Sequence, residues 1–220
     1  MLIIGLDTTS QSGSVSLINE NKILGECLFN VGPRHSENVV SSLEWLLKTL
    51  NTDKGDIDAL AVSIGPGSFT SVRVGVTIAK SLAYSMKIKI VGVSSLEVLA
   101  MNIPQTEMNI CSILDAKREE VYSAIYKYNS NILSMYRDEK VESVADLLID
   151  IKEPTVFVGD GSVIYKKELE EYSNANLVSD NFNILRSSNC ALLGRVKLNN
   201  GKSDDVMGLV PNYLRKTDVE

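Results

Sequence analysis

Residues 2–10 read Leu2-Ile3-Ile4-Gly5-Leu6-Asp7-Thr8-Thr9-Ser10, an apolar run that ends on an acid and then turns polar. A short, continuous apolar run of this kind predicts a strand buried on both faces. The polar turn Asp7 to Gly13 leads to an alternating strand, Ser14 to Ile18, and after the turn Asn19-Glu20-Asn21 to a third strand, Ile23 to Val31. The same order restarts at Ile110-Cys111-Ser112-Ile113-Leu114-Asp115, again an apolar run closing in Leu-Asp. A polar turn, an alternating strand from Val121 to Tyr126 and the turn Asn129-Ser130-Asn131 follow, and Ile132-Leu133 opens a third strand as Ile23-Leu24 does in the first half. The repeat predicts a duplicated α/β unit with lobes at 1–103 and 104–220.

Helices and further strands complete each copy. Val39, Val40, Leu43, Leu46, Leu47 and Leu50 recur on one face of a helix predicted from Ser36 to Asn51. Ala59 to Ile64 is a strand, Phe69 to Met86 a long helix and Ile88 to Val93 a strand, and Ser94 with Glu97 forms a capping box for a helix from Leu96 to Met101. In the second half the pieces are a helix from Val144 to Ile151, a strand from Thr155 to Gly159 and a helix from Ser162 to Tyr172. Two such copies resemble the actin-like architecture shared by sugar kinases and heat-shock chaperones (ASKHA, ribonuclease H-like). In it a nucleotide sits in the cleft between copies, its phosphates cradled by the turn after each first strand.

The bulk properties set limits. At 220 residues, 44% hydrophobic and 23% charged, the chain buries one good core or two small ones. A net charge of −6 argues against a surface that grips nucleic acid unaided, because phosphate binding needs clustered Lys and Arg. Cys27, Cys111 and Cys190 are odd in number and widely spaced, which suggests free thiols in a reducing cytoplasm rather than disulfides or a metal cluster. The run Met1 to Asp7 is too short for a signal core or a membrane span, so a cytoplasmic protein is expected.

Four turns bear on the chemistry. At Asp7-Thr8-Thr9-Ser10, hydroxyls and amides would hold a phosphate and the acid a metal or water, although an ordinary hairpin with satisfied turn amides reads the same. Its counterpart, Asp115-Ala116-Lys117-Arg118-Glu119-Glu120, has no glycine for close phosphate approach and adds repelling glutamates, so nucleotide chemistry by this chain alone is not expected. Gly159-Asp160-Gly161-Ser162 reads as a strand-to-helix turn rather than an adenosine pocket. Gly65-Pro66-Gly67-Ser68-Phe69-Thr70 is either an anion site at a helix N-terminus or a tight turn capped by Ser68 or Thr70. His35 is the sole histidine and no G-x-S-x-G elbow is present, which leaves neither a paired-His metal site nor a hydrolase with nucleophile and base; Arg34-His35-Ser36 reads as the start of the first helix, capped by Ser36.

Trp45, the sole tryptophan, falls opposite the leucine stripe of the first helix, beside Asn38, Ser41, Ser42 and Lys48. On the next helix Arg73, Thr77, Lys80, Tyr84 and Lys87 make a polar stripe, while Gly75, Ala79 and Ala83 make a small-residue row that permits close approach. An aromatic on a polar helix face fits a docking surface, and an ordinary solvated face with core packing behind it is the plain alternative.

Seven segments resemble the TsaB family, also called YeaZ, across almost the whole chain. They are Ile4-Gly5-Leu6-Asp7-Thr8-Thr9, Arg34-His35-Ser36, Ala61 to Gly75, Val91-Gly92-Val93-Ser94-Ser95-Leu96-Glu97, Leu114 to Tyr126, Gly159-Asp160-Gly161 and Pro211-Asn212-Tyr213-Leu214-Arg215. The stretches Gly65 to Thr70 and Val93 to Glu97 are the most specific; Ser71 departs, standing where the family usually has Gly.

The resemblance implies a non-catalytic scaffold that pairs with its paralogue TsaD and, with the ATPase TsaE, supports transfer of a threonylcarbamoyl group to the adenosine beside the tRNA anticodon. It implies pairing through the N-terminal helices, which gives Trp45, Ser41, Arg73, Thr77, Lys80 and Tyr84 as partner-binding residues. Asp7, Thr8, Thr9, Gly65, Gly67 and Ser68 become degenerate phosphate or anion turns, with no catalytic residue and no metal. Further expectations are a homodimer when alone, no cofactor in the isolated chain but ATP or ADP in the complex, tRNA reached only through the complex, and no membrane. The first alternative is an ATP-dependent small-molecule kinase or ATPase, favoured by the Asp7 turn and opposed by the glycine-free second turn. A peptidase is the second.

Overall fold

The computed structural model describes residues 1–30 and 35–215, with 35–37 by backbone alone. The N-terminal sheet comprises β1 (Leu2–Asp7), β2 (Gly13–Asn19), β3 (Lys22–Phe29), β4 (Ala59–Ser63) and β5 (Lys89–Val93), in the order β3-β2-β1-β4-β5. Strand β1 runs antiparallel to β2, with Leu6 opposite Val15, and parallel to β4, with Leu6 opposite Val62. Between these strands lie α1 (His35–Thr49) and α2 (Phe69–Met86), and α3 (Ser95–Ala100) follows β5.

The second sheet comprises β6 (Asn109–Lys117), β7 (Glu120–Asn129), β8 (Ile132–Ser143), β9 (Thr155–Val158) and β10 (Ala175–Leu177), in the order β10-β9-β6-β7-β8. With β6 in the place of β1 this is the first sheet's order again, and β6 is likewise antiparallel to β7 and parallel to β9. The duplication legible in the sequence is thus a duplication of topology. Helix α4 (Val144–Asp150) follows β8, capped by the Ser143 hydroxyl, which accepts from the Asp146 amide. The single helix expected over Ser162 to Tyr172 is instead two short ones, α5 (Asp160–Ile164) and α6 (Lys166–Glu170), joined at Tyr165.

Inside-outside alternation places each core. Ile4 and Leu6 of β1 pack with Val39, Leu43, Leu46 and Leu47 of α1 and with Val72, Val76, Ala79 and Ala83 of α2. In the second unit Cys111, Ile113, Val121 and Phe157 pack with Leu147 and Leu169 from α4 and α6. Helix α1 already includes His35 and Ser36, so Ser36 is not its cap; Arg34 and Val31, the expected end of β3, lie outside the described residues. For the capping box, the Leu96 amide donates to the Ser94 hydroxyl.

The division at 103/104 is corrected at both ends of the second lobe. Contacts group Met1–Val98 with Leu185–Asn212, and Leu99–Ile184 with a final stretch that begins at Tyr213. Helix α7 (Ser187–Asn199) therefore belongs to the first unit, where it covers the face of β1, β2 and β4 that α1 and α2 leave bare. Its buried side is Ser187, Ser188, Cys190, Ala191, Gly194 and Leu198, mostly small residues at helical spacing. Close approach explains that choice: a Cβ on Gly5 would collide with the Ser187 carbonyl, and one on Gly194 would lie 2.5 Å from the Ala61 Cβ. Glu26 of β3 fixes the start of α7, accepting from the Ser188 amide at 2.9 Å and from Arg186 Nε at 3.0 Å. A carboxylate there meets the positive end of the helix dipole as well as an orphan amide.

Gly194→Ala separates a docked α7 from a solvated one. In an exposed helix the change stabilises by about 1 kcal/mol; against Ala61 it is expected to destabilise by about 1–3 kcal/mol in urea unfolding.

Candidate functional site

The C-terminal ends of the parallel strands β1, β4 and β5 bring three turns together, which is where open α/β sheets place their ligands. Thr9 stands at their meeting point. Its carbonyl accepts from the Ser68 amide at 2.8 Å, its hydroxyl accepts from Ser95 Oγ at 3.0 Å, and its amide donates to Asp7 Oδ1 at 3.0 Å. Thr8 Oγ1 donates to the Ser71 carbonyl at 2.8 Å, tying the first turn to α2. A Cβ on Gly67 would strike the Thr9 carbonyl and one on Gly75 the Thr8 hydroxyl, so both glycines serve packing between the turns. The Ser95 amide in turn donates to the Gly65 carbonyl at 2.9 Å.

These bonds show what the polar groups of each turn meet within the chain. Asp7 is 0% exposed, and Thr8 and Thr9 are buried with it, Thr9 bonded to the Asp7 carboxylate and Thr8 to the Ser71 carbonyl. Ser68 does not cap α2 with its side chain; its hydroxyl instead accepts from Ser71 Oγ at 3.1 Å, and its amide is taken by Thr9. The arrangement is a self-satisfied junction of three turns.

Burial pushes the Asp7 carboxyl above its ordinary range, with the Ser63 hydroxyl and the amide and hydroxyl of Thr9 offsetting part of that rise. Acids raised by burial occur both at functional sites and in structural networks. The thiol of Cys190 has Asp7 and Ser63 for neighbours and, like that of Cys111, is pushed up to about 12 by burial, which leaves it an inert core thiol.

In the second unit the turn expected over Asp115 to Glu120 is narrower than a phosphate loop. Strand β6 runs on to Lys117 and β7 begins at Glu120, the reversal being made with left-handed φ at Lys117, Arg118 and Glu119. The Asp115 carboxylate accepts from the Lys117 amide at 2.9 Å and pairs with its ammonium, while the Asp115 amide donates to Asp160 Oδ1 at 3.0 Å. Burial, and then the negative charge of Asp115, raise the Asp160 carboxyl. The adjacent carboxylates of Asp115 on the hairpin and Asp160 at the start of α5 repel a phosphate. Among the described residues no group of three His, Cys, Asp or Glu side chains comes together, and no helix is long and apolar enough to cross a membrane.

The outer side of α1 and α2 differs in kind. Trp45 is 59% exposed and Tyr84 70% exposed, both on helices whose opposite sides are in the core. Phe69, which sequence reasoning passed over, is also exposed and carries the Arg73 guanidinium 3.7 Å over its ring; their i,i+4 spacing was the available signal. Thr77 Oγ1 and Ser41 Oγ return to carbonyls of their own helices, at Arg73 and Asn38. Lys80 turns inward, donating to the carbonyls of Met207 at 2.8 Å and Leu209 at 3.0 Å. The six expected surface residues thus divide into two large aromatics on the surface, three polar groups with bonds or ring contacts on their own helices, and one tie to the C-terminal segment.

Comparison with known proteins gives a consistent picture. The family model described as "TsaD: tRNA N6-adenosine threonylcarbamoyltransferase" matches residues 30–220. The chain is 33% identical over 225 residues to the tRNA threonylcarbamoyladenosine biosynthesis protein TsaB of Bacillus subtilis (strain 168), covering 100% of this chain and 96% of that protein. Among solved structures, YeaZ from Pseudomonas aeruginosa superposes with a TM-score of 0.85 at 22% identity, over 97% of this chain and 99% of that one. The ethanolamine utilization protein EutJ from Carboxydothermus hydrogenoformans shares the duplicated actin-like fold more loosely, with a TM-score of 0.53 at 10% identity over 88% and 90% of the two chains.

The raised Asp7 carboxyl has a signed consequence. Its protonated form is favoured by folding, so its contribution is fully present below the ordinary value of 3.8 and is lost as pH rises through the raised value. Asp7→Asn keeps an acceptor for Thr9 and removes the charge. It is expected to raise the melting temperature at neutral pH, with the gain shrinking as the pH falls toward 3.8, in melts run across that range.

Proposed function

The chain belongs to the TsaB family of tRNA threonylcarbamoyladenosine biosynthesis proteins, and from that premise we propose that it is a non-catalytic subunit whose α1–α2 face docks on TsaD. With TsaE, the pair would carry out threonylcarbamoyl transfer to the adenosine next to the tRNA anticodon, this chain stabilising or positioning the catalytic state of TsaD. The observation that carries this reading is a contrast within one unit: the strand-end turns are closed on themselves, while Trp45 and Tyr84 stand out on the neighbouring helices. Aromatics are the anchors on which interfaces concentrate their energy.

The chemistry of the surroundings fits. A chain of net charge −6 is a poor holder of tRNA by itself, so the nucleic acid is reached through the complex in the cytoplasm. Among the described residues the strand-end turns of the first unit are bonded to one another and Asp115 and Asp160 lie together in the second, which supports binding of ATP or ADP only with the partner's help. A second reading, an ATP-dependent kinase or ATPase, draws on the buried Asp7; titration of the isolated chain with ATP separates the two, since that reading requires saturable binding and the docking role does not.

Trp45→Ala is expected to weaken pairing with purified TsaD by ~1–3 kcal/mol in calorimetry, in the manner of a buried aromatic anchor. Equal affinity of variant and wild type would remove Trp45 from the interface.

A further inference from the structure

The segment after α7 is a strap tied down at three places in the first unit. At its start the Asp204 amide donates to the Ile90 carbonyl at 2.9 Å, and the Asp204 carboxylate accepts from the Gly92 amide at 2.7 Å. In the middle the Lys80 ammonium of α2 binds the carbonyls of Met207 and Leu209. At its end the Asn212 amide donates to the Ile64 carbonyl at 2.7 Å, next to the Gly65 turn. Between the ties, Val206 and Leu209 pack into the core with Ile64, whereas Met207 is 71% exposed and Val210 64% exposed.

The geometry points to Lys80 as a positioning residue: it latches the strap against α2 so that Met207 and Val210 extend the docking face beside Tyr84, and TsaD therefore reads the strap together with the helices. This rests on the docking role proposed above. Three features support it. The two carbonyls converge on one ammonium, which offers three donors and so holds both at once. Tyr84 lies one turn beyond Lys80, and Thr77 and Arg73 precede it on the same row, so the latch sits inside the proposed face rather than at its margin. The exposed apolar pair stands on the segment that the latch holds, and methionine is a side chain that adapts readily to a partner surface.

The test uses the full chain and purified TsaD, with hydrogen exchange at the Leu209 and Asn212 amides read beside calorimetric affinity. Lys80→Met keeps the stem and removes the ammonium; it is expected to speed exchange at both amides and to weaken TsaD binding, each by about tenfold. Lys80→Arg is expected to keep both near wild type. Asp204→Ala releases the strap from its other end, at Gly92, and is expected to weaken binding in the same way. An effect on affinity from Lys80→Met without one from Asp204→Ala would make Lys80 a direct contact and overturn the latch. So would faster exchange with unchanged affinity, or exchange that Lys80→Met leaves as it was. Absence of measurable binding between the unaltered chain and TsaD marks the separate failure of the docking role itself.

Discussion

Strand β1 is buried on both of its faces, and the two faces are closed by unlike means. Toward α1 and α2, Ile4 and Leu6 meet an aliphatic layer from both helices. Toward α7 there is no room for such a layer, because the helix backbone comes so close that Gly5 cannot bear a Cβ without striking the Ser187 carbonyl. Close backbone approach brings dispersion contacts at native density that bulky side chains would prevent. It also sets the path of the chain: once α7 is seated with its N-terminus on Glu26, the strap that follows is led past β5 and α2.

The same constraint shapes the strand-end turns. With β1 fixed from both sides, Asp7 is carried into the interior at the C-terminal end of the strand. Here its oxygens are answered by Thr9, and Thr9 is answered by Ser68 and Ser95. The amides and hydroxyls of these turns serve as ties between them. The second unit reaches a similar end by another route, a tight hairpin at Lys117 to Glu120 with a register shift between Asp115 and Lys117, and with Asp115 and Asp160 side by side. Among the exposed apolar side chains of the first unit are Trp45 and Tyr84 on the helices and Met207 and Val210 on the strap.

Much of this was legible from residue order alone. The repeated pattern ending at Asp7 and again at Asp115 foretold the repeated sheet order, and Phe69 to Met86 was bounded correctly because glycines before it and a long apolar period within it leave little choice. The home of α7 was not legible, since its buried side is Ser187, Ser188, Cys190, Ala191 and Gly194, which form no apolar stripe and pack by being small. Lys80 reads in the sequence as part of a partner-binding surface stripe because a lysine at helical spacing normally points outward; carbonyls that arrive from over a hundred residues later leave no mark in the local sequence. The tight second hairpin was hidden for a different reason, as Lys117, Arg118 and Glu119 are not residue types that favour left-handed backbone.

A subunit that contributes surface rather than chemistry should change the rate of a reaction it does not perform. The most direct measurement is the rate of threonylcarbamoyl transfer to tRNA by purified TsaD with TsaE and ATP, with this chain present and absent. A docking subunit predicts that the rate rises severalfold or more when the chain is added and saturates as the pair forms. Full-rate transfer without the chain would contradict it.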